Sequence, residues 1–157
     1  MDDERFMRLA LARSAEGMEE GQTPFGACIV GKDGEVISCE HNRVWKDTDV
    51  TAHGEIVAIR EACRKTGSIK LEGATIYSTT EPCPMCFSAI HWAGIGRIVF
   101  GASIRDAKDA GFSELTISNE EMKKRGNSPV EIEGGILKEE CAKQFKDWAA
   151  REDHRTY

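Results

Sequence analysis

The sequence lacks an apolar run long enough to cross a bilayer. The longest runs, such as Gly26 to Val30, fall far short of the roughly 20 residues that a membrane-spanning helix needs. The N-terminus, Met1 to Arg5, is acidic, where a secretory signal would be positive and then apolar. These absences predict a cytoplasmic protein that does not span a membrane.

An excess of positive charge is also missing. The chain carries 21 Lys and Arg residues against 27 Asp and Glu residues, a formal net charge of -6. Proteins that bind RNA or DNA neutralise phosphates mainly with Lys and Arg. The acidic balance therefore argues against nucleic acid as a partner and favours a small-molecule substrate. The one compact basic cluster, Lys123 to Arg125, is explained equally well by a solvated helix end.

What is present is an ordinary globular composition, with 40% hydrophobic and 31% charged residues in 157. That length predicts a single domain over residues 1–157, with one continuous core. The chain has six cysteines, and in a reducing cytosol we expect free thiols rather than disulfides. Cys28, Cys39 and Cys63 lie in apolar segments and are predicted to be small buried core thiols.

Helix and strand patterns alternate along the chain. Asp33-Gly34 predicts a hairpin turn between two short apolar strands, and Thr51 is predicted to cap the helix that follows. The region from 103 to 128 yields only a short helix at 119–124. We expect further helices at 3–20, 53–65, 83–93 and 136–152, and strands at 26–30, 35–39, 74–78, 97–101 and 129–132. This order predicts a three-layer α/β/α sandwich with a mixed five-stranded sheet.

Two fragments carry the chemistry, and both stand at predicted helix starts. The first contains His53 and Glu55, and the second contains Cys83 and Cys86 within Pro-Cys-Pro-Met-Cys. A catalytic zinc ion, Zn2+, takes three protein ligands and leaves the fourth position to water, a count that one imidazole and two thiolates satisfy. We expect adjacent parallel strands to bring the two helix starts together. Glu55 is then close enough to carry protons without being a ligand.

Two other interpretations use the same cysteines. Cys-Pro-x-Cys is also found in thiol redox proteins, but that interpretation leaves His53 and Glu55 without a role. A structural zinc site would need a fourth ligand, such as Cys141 or His91, and it also leaves Glu55 idle. A zinc protein without catalytic activity, acting as a subunit or binding module, is a further alternative.

His-x-Glu followed by Pro-Cys-x-x-Cys is the signature of zinc deaminases that act on bases. The sequence resembles the cytidine deaminase-like superfamily, and specifically the branch that contains bacterial guanine deaminases and tRNA adenosine deaminases. The resemblance covers nearly the whole chain and includes the segments at 24–27, 41–42, 51–55, 58–60 and 81–86. The segment at 107–112 and the final Tyr157 are similar to small guanine deaminases.

The resemblance implies a set of substrate contacts. Residues matching Phe25 and Asn42 face the base in that family, and the backbone at Gly54 and a Trp matching Trp92 add contacts. A Tyr matching Tyr157 closes the pocket from a partner subunit, which implies a domain-swapped homodimer.

The chain departs from the family at three positions: Gly54 stands where Ala is usual, Val50 where Pro is usual, and Glu114 where Asp is commoner. Together these departures predict a roomier pocket that would admit a nucleoside or a triazine.

The mechanism that follows is hydrolysis of guanine to xanthine and ammonia by zinc-activated water. Glu55 passes the proton of the water to a ring nitrogen, and Glu55 together with Glu114 protonates the departing amine. The main alternative is adenosine deamination within tRNA, in which a loop presents the base. Deamination of a related nucleoside, of cytosine or of a triazine stays open.

Overall fold

One five-stranded sheet forms the centre of the protein, which a computed structural model describes over residues 2–157. Its strands are β1 (Gly26–Val30), β2 (Val36–His41), β3 (Thr75–Thr80), β4 (Arg97–Ala102) and β5 (Glu131–Gly134). They lie in the order β2-β1-β3-β4-β5. β1 is antiparallel to both of its neighbours, whereas β3, β4 and β5 are parallel. The prediction of a mixed five-stranded sheet is confirmed.

Helices cover both faces of the sheet because its central strands carry apolar residues on both sides. On β4, Ile98 packs into one core cluster and the next residue, Val99, into the other. The cluster around Val99 is closed by the first and last helices, and the cluster around Ile98 by the helices that begin at 54 and 84. The helices are α1 (Asp3–Glu19), α2 (Val44–Asp47), α3 (Gly54–Thr66), α4 (Pro84–Ala93), α5 (Ile104–Asp109), α6 (Asn119–Gly126) and α7 (Lys138–Ala149). The predicted three-layer α/β/α arrangement is confirmed.

Three local expectations are wrong. Thr51 does not cap α3: its backbone N–H and its hydroxyl both donate to Oδ1 of Asp49 at 2.8 and 2.6 Å, and His53 takes the capping position. The hydroxyl of Thr51 is used in a local turn closed by the side chain of Asp49, so it is not available to cap the helix. Cys28 is fully buried as predicted, but Cys39 and Cys63 are only half-buried. Cys39 is more accessible because β2 is an edge strand.

The topology brings two helix starts to the same end of the sheet. Because β1 is antiparallel to both β2 and β3, those two strands run in the same direction with β1 between them. The chain leaves β2 towards α3 and leaves β3 towards α4, so both connections emerge at the same sheet edge. The expectation of adjacent parallel strands is therefore wrong, although its consequence for the two helix starts holds.

No helix among residues 2–157 is both long and apolar enough to span a membrane. The single domain over residues 1–157 stays a prediction.

Candidate active site

His53, Cys83 and Cys86 converge between the starts of α3 and α4. His53 is the N-cap of α3, Cys83 is the N-cap of α4, and Cys86 lies in the first turn of α4. Nδ1 of His53 lies 3.6 Å from each of the two sulfur atoms. Zinc bonds of about 2.0 Å to nitrogen and about 2.3 Å to sulfur, at a tetrahedral angle, separate the two atoms by about 3.6 Å. The three side chains therefore fit one zinc ion.

Neither proposed fourth ligand reaches this group. Among residues 2–157, the metal-ligating side chains within 4.8 Å of one another are His53, Cys83 and Cys86. Cys141 belongs to the core cluster around Val99, in the layer formed by α1 and α7. His91 instead pairs with the hydroxyl of Ser128 at 2.9 Å through Nδ1. Three ligands match a catalytic zinc site rather than a closed structural one.

The electrostatics of the ligands suit metal binding through thiolates. Hydrogen bonds from Cys86 and from His53, opposed by burial, lower the pKa of the Cys83 thiol to about 4. Burial opposes protonation of His53, but its hydrogen bond to Cys83 and the nearby charge of Glu55 outweigh that effect and raise its pKa. Burial raises the pKa of the Cys86 thiol. Zinc binds only the thiolate form, so binding must release the Cys86 proton.

Glu55 lies in the first turn of α3, next to the ligand group. Its side chain is only 7% exposed, and Oε1 is 3.2 Å from the hydroxyl of Ser78 on β3. Burial raises the pKa of this carboxyl. A buried carboxyl group beside the ligand group is placed to accept a proton and return it, as a general acid and base must.

A small cavity of about 10 Å³ lies against these groups, roughly the space of one water molecule. Two of its walls are the zinc ligands His53 and Cys83, and the others include Phe25, Glu55, Glu81, Glu114 and Tyr157. A larger groove of about 250 Å³ adjoins it at His53, Cys83, Glu114 and Tyr157. Much of the groove surface is apolar and includes the exposed side chains of Val50, Met85 and Leu115.

The sequence that carries these residues matches a known family. The model of the cytidine and deoxycytidylate deaminase zinc-binding region matches residues 1–102. This chain belongs to that family. It is 41% identical to guanine deaminase of Bacillus subtilis over 76% of this chain and 77% of that protein. It is 39% identical to tRNA-specific adenosine deaminase of Bacillus subtilis over 88% of this chain and 83% of that protein.

A solved structure extends the likeness to the fold. With a TM-score of 0.89 and 25% sequence identity, it covers 96% of this deaminase and 82% of the other chain, which is in complex with 2,6-diaminopurine. Membership of the family supports a zinc-dependent hydrolytic deaminase that acts on a nucleobase or nucleoside. The two Bacillus subtilis relatives stand at similar identity, so they leave the specific substrate open.

Tyr157 reaches the site of its own chain in this deaminase. Its ring lies 5.6 Å from the ring of His53 and 5.5 Å from the ring of Phe112. Nδ2 of Asn42 donates to its hydroxyl at 2.6 Å, while Oδ1 of the same amide accepts the backbone N–H of Val44 at 3.0 Å. The Asn42 side chain is thereby oriented with its amino group towards Tyr157.

Glu114 and Phe25 also line the cavity. Burial, followed by the nearby charge of Cys83, raises the pKa of Glu114 to about 7. The ring of Phe25 meets Phe112 edge-on at 4.9 Å. Both side chains are therefore near enough to the zinc ligands to meet a substrate.

Trp92 does not join this group. Its side chain is 74% exposed, and it lies near the end of α4 opposite to Cys83. A helix of 10 residues is about 15 Å long, so Trp92 lies far from the ligand group of its own chain, and its contact with the base stays a prediction.

Gly54 does not enlarge the pocket in this deaminase. A Cβ on Gly54 would lie 3.3 Å from the carbonyl oxygen of Phe25 and 3.5 Å from the backbone nitrogen of Asn42. The missing methyl group therefore faces strand backbone rather than substrate. The roomier pocket expected from the three departures stays a prediction.

Sequence reasoning gave no role to four residues near the site. Ser78 contacts Glu55 from the middle of β3, where no local pattern distinguishes it. Glu81 and Asn119 are buried, and the backbone N–H of Asn119 donates to Oε1 of Glu81. The position of Glu81 directly before Pro82-Cys83 is a sequence signal that could have drawn attention to it. Trp45 stacks beneath the guanidinium of Arg155 at 4.1 Å.

Proposed function

We propose that this deaminase hydrolyses a purine nucleobase, with guanine as the first substrate, to xanthine and ammonia. The observation that carries the proposal is the fully buried Asn42, whose amino group donates to Tyr157 at the cavity wall. A carbonyl oxygen such as that of guanine can replace the tyrosine hydroxyl as acceptor. Phe25 offers an apolar surface to the ring beside it.

Substrate entry requires Tyr157 to move, because a cavity of about 10 Å³ holds no more than a water molecule. The adjoining groove of about 250 Å³ is large enough to receive the incoming base or the displaced ring of Tyr157. When Tyr157 returns to its place, its ring packs against His53 and Phe112 and shields the reaction from bulk water.

The reaction adds water to the carbon that bears the amino group, here C2, and breaks the bond from that carbon to nitrogen. Zinc held by His53, Cys83 and Cys86 supplies Lewis acidity, which lowers the pKa of a bound water from about 15.7 to about 7. Glu55 accepts the proton of the attacking water and delivers it to a ring nitrogen. Glu55 next accepts the remaining proton of the new C2 hydroxyl as the C2 carbonyl forms, and Glu55, with Glu114, delivers this proton to the departing amine, which leaves as ammonia.

The similarity to guanine deaminase of Bacillus subtilis and to the structure with bound 2,6-diaminopurine supports a purine base. The net charge of -6 supports a small substrate over RNA. The test is ammonia release from guanine, guanosine, cytosine, adenine, ammeline and tRNA at equal concentrations. We expect guanine to be hydrolysed fastest; turnover of another compound with guanine inert would overturn the assignment, and bound zinc without any turnover would favour a binding module.

A second candidate is deamination of adenosine in tRNA, which one comparison favours. The tRNA-specific adenosine deaminase of Bacillus subtilis aligns with 88% of this chain, against 76% for the guanine deaminase. A protein with this activity should bind tRNA at moderate salt and should convert adenosine in it to inosine. Tight RNA binding together with inosine formation would replace guanine as the substrate.

We propose further that the protein is a cytoplasmic homodimer and that two copies exchange the segment carrying Tyr157. The six cysteines are free thiols, as a reducing compartment requires. Exchange of identical segments reproduces the same contacts between copies. Mixing inactive His53→Ala with Tyr157→Ala after joint refolding tests this idea: recovered activity supports exchange, while no recovery with a monomeric mass contradicts it.

A further inference from the structure

We propose that Glu81 is a positioning residue, which together with Asn119 holds Glu114 against the zinc-ligand loop. This inference rests on the role of Glu114 in the proposed function. It concerns the stretch between Ile104 and Asn119, which contains α5 and an irregular connection of residues 110–118. Glu114 lies within that connection and lines the cavity.

One carboxylate holds both ends of this stretch. Oε2 of Glu81 accepts the backbone N–H of Ile104 at 3.0 Å, and Oε1 accepts the backbone N–H of Asn119 at 2.8 Å. These two N–H groups belong to the first residues of α5 and α6, which have no acceptor within their own helices. Glu81 is only 8% exposed, so water cannot easily replace either bond.

A third bond ties the same junction to the metal ligands. Nδ2 of Asn119, which is completely buried, donates to the carbonyl oxygen of Pro82 at 2.6 Å. Pro82 directly precedes Cys83, so the start of α6 and the zinc-ligand loop are fixed to each other. Glu81 and Asn119 therefore connect the segment carrying the proposed proton donor to the segment carrying the metal ligands.

The irregular connection has few bonds to the rest of the protein near Glu114, whose own backbone N–H donates within the connection, to the carbonyl oxygen of Phe112 at 2.8 Å. Phe112 anchors it in the core, and the backbone N–H of Ser113 donates to the carbonyl oxygen of Tyr157 at 3.0 Å. The second bond is lost when the backbone of Tyr157 moves aside together with its ring to admit substrate. Glu81 then becomes the main polar support that keeps Glu114 at its place beside Cys83.

Only a carboxylate satisfies both N–H groups. Glutamine has the same shape, but its amino group would face one of the two donors, so one buried N–H loses its acceptor. Glu81→Gln should therefore loosen the stretch without removing any zinc ligand. The matched control is Glu120→Gln, an exposed carboxylate in the first turn of α6.

The first measurement is amide hydrogen exchange, which needs no substrate. We expect residues 113–118 to exchange at least about fivefold faster in Glu81→Gln, the effect of one lost hydrogen bond of about 1 kcal/mol. Zinc per chain and the absorption of the cobalt-substituted protein should stay at the parent values. Unchanged exchange, or loss of the metal, would overturn the inference.

The second measurement asks whether Glu81 acts through Glu114. We expect Glu81→Gln to lower kcat about tenfold with KM unchanged, and to lower it no further in a Glu114→Gln background. An equal loss in both backgrounds would overturn this inference alone. A parent rate in Glu114→Gln would instead overturn the role of Glu114 in the proposed function. If Glu81→Gln does not fold, Asn119→Ala, which removes only the bond to Pro82, should show the same pattern more weakly; its absence there would also overturn the inference.

Discussion

The amide of Asn42 and the hydroxyl of Tyr157 form a 2.6 Å hydrogen bond although the two residues are 115 positions apart. The tyrosine thus takes the acceptor position that the proposed function assigns to substrate. The closed position of Tyr157 and a bound base consequently compete for the same donor, the amide of Asn42.

Replacing Tyr157 with Phe tests this competition. The ring contacts remain, but the bond to Asn42 is lost, so the segment 151–157 should open more often. A net loss of about 1 kcal/mol predicts roughly fivefold faster amide exchange in that segment. Glu152→Gln, an exposed change in the same segment, should leave exchange unaltered. Equal exchange in Tyr157→Phe and the parent would show that the bond does not hold the segment.

Glu55→Gln tests the proton carrier. The amide cannot accept the proton of water, so kcat should fall by at least about 100-fold while zinc stays bound. The measurements are ammonia release and metal per chain. Glu61→Gln, a partly exposed change on the same helix, should keep the parent rate. Near-parent turnover of zinc-loaded Glu55→Gln is the result that would refute the role.

Removing the metal should abolish ammonia release, and returning zinc should restore it. Cys83→Ser should hold substoichiometric zinc, because the hydroxyl of Ser is a far weaker ligand than the thiolate with its lowered pKa. Cys63→Ser, which lies outside the ligand group, provides the control. Full activity after exhaustive chelation, with metal absent by elemental analysis, would contradict a zinc mechanism.

Asp3 provides a pH-dependent contribution to stability far from the site. Arg97 binds its two carboxylate oxygens at 2.9 and 2.8 Å, and Tyr77 donates to Oδ1 at 2.7 Å. The hydrogen bonds from Arg97, partly opposed by burial, lower the pKa of Asp3 below its ordinary 3.8. Asp3→Asn should therefore reduce the free energy of unfolding by about 1 to 3 kcal/mol at pH 7.

The sign of this effect follows from the lowered pKa. The Asp3 carboxylate stabilises the fold at pH values above 3.8, and that stabilisation is lost as the pH falls below 3.8 through the lowered folded-state pKa. Urea unfolding of the parent and of Asp3→Asn should differ at pH 7 and converge in acid. Asp2→Asn, whose side chain caps α1 in solvent, should show a smaller difference. A gap between parent and Asp3→Asn that widens in acid would contradict the explanation.

The zinc ligands and the layered fold could be predicted from the sequence because both depend on local signals. Cys83 and Cys86 lie on one helical turn, and the apolar periodicity of the strands is visible within a few residues. The position of β1 between β2 and β3 could not be predicted in this way, because strand order depends on long-range packing. α2, with only four residues, is too short to show a helical period.

The supporting residues were missed for a related reason. Glu81 bonds to residues 23 and 38 positions away, and Ser78 meets Glu55 across 23 positions. Neither partner can be recognised until the fold is known. The resemblance alone assigned Trp92 to the pocket, and its side chain is exposed on α4 in the single chain.

The outer strand β5 also bears on how copies of this protein can associate. Two of its four residues are acidic, Glu131 and Glu133, and Glu131 lies exposed at the sheet margin. If two molecules paired along this margin, their acidic side chains would come together, and the repulsion between like charges would make the pairing unfavourable. Pairing of two sheets along β5 is thereby disfavoured.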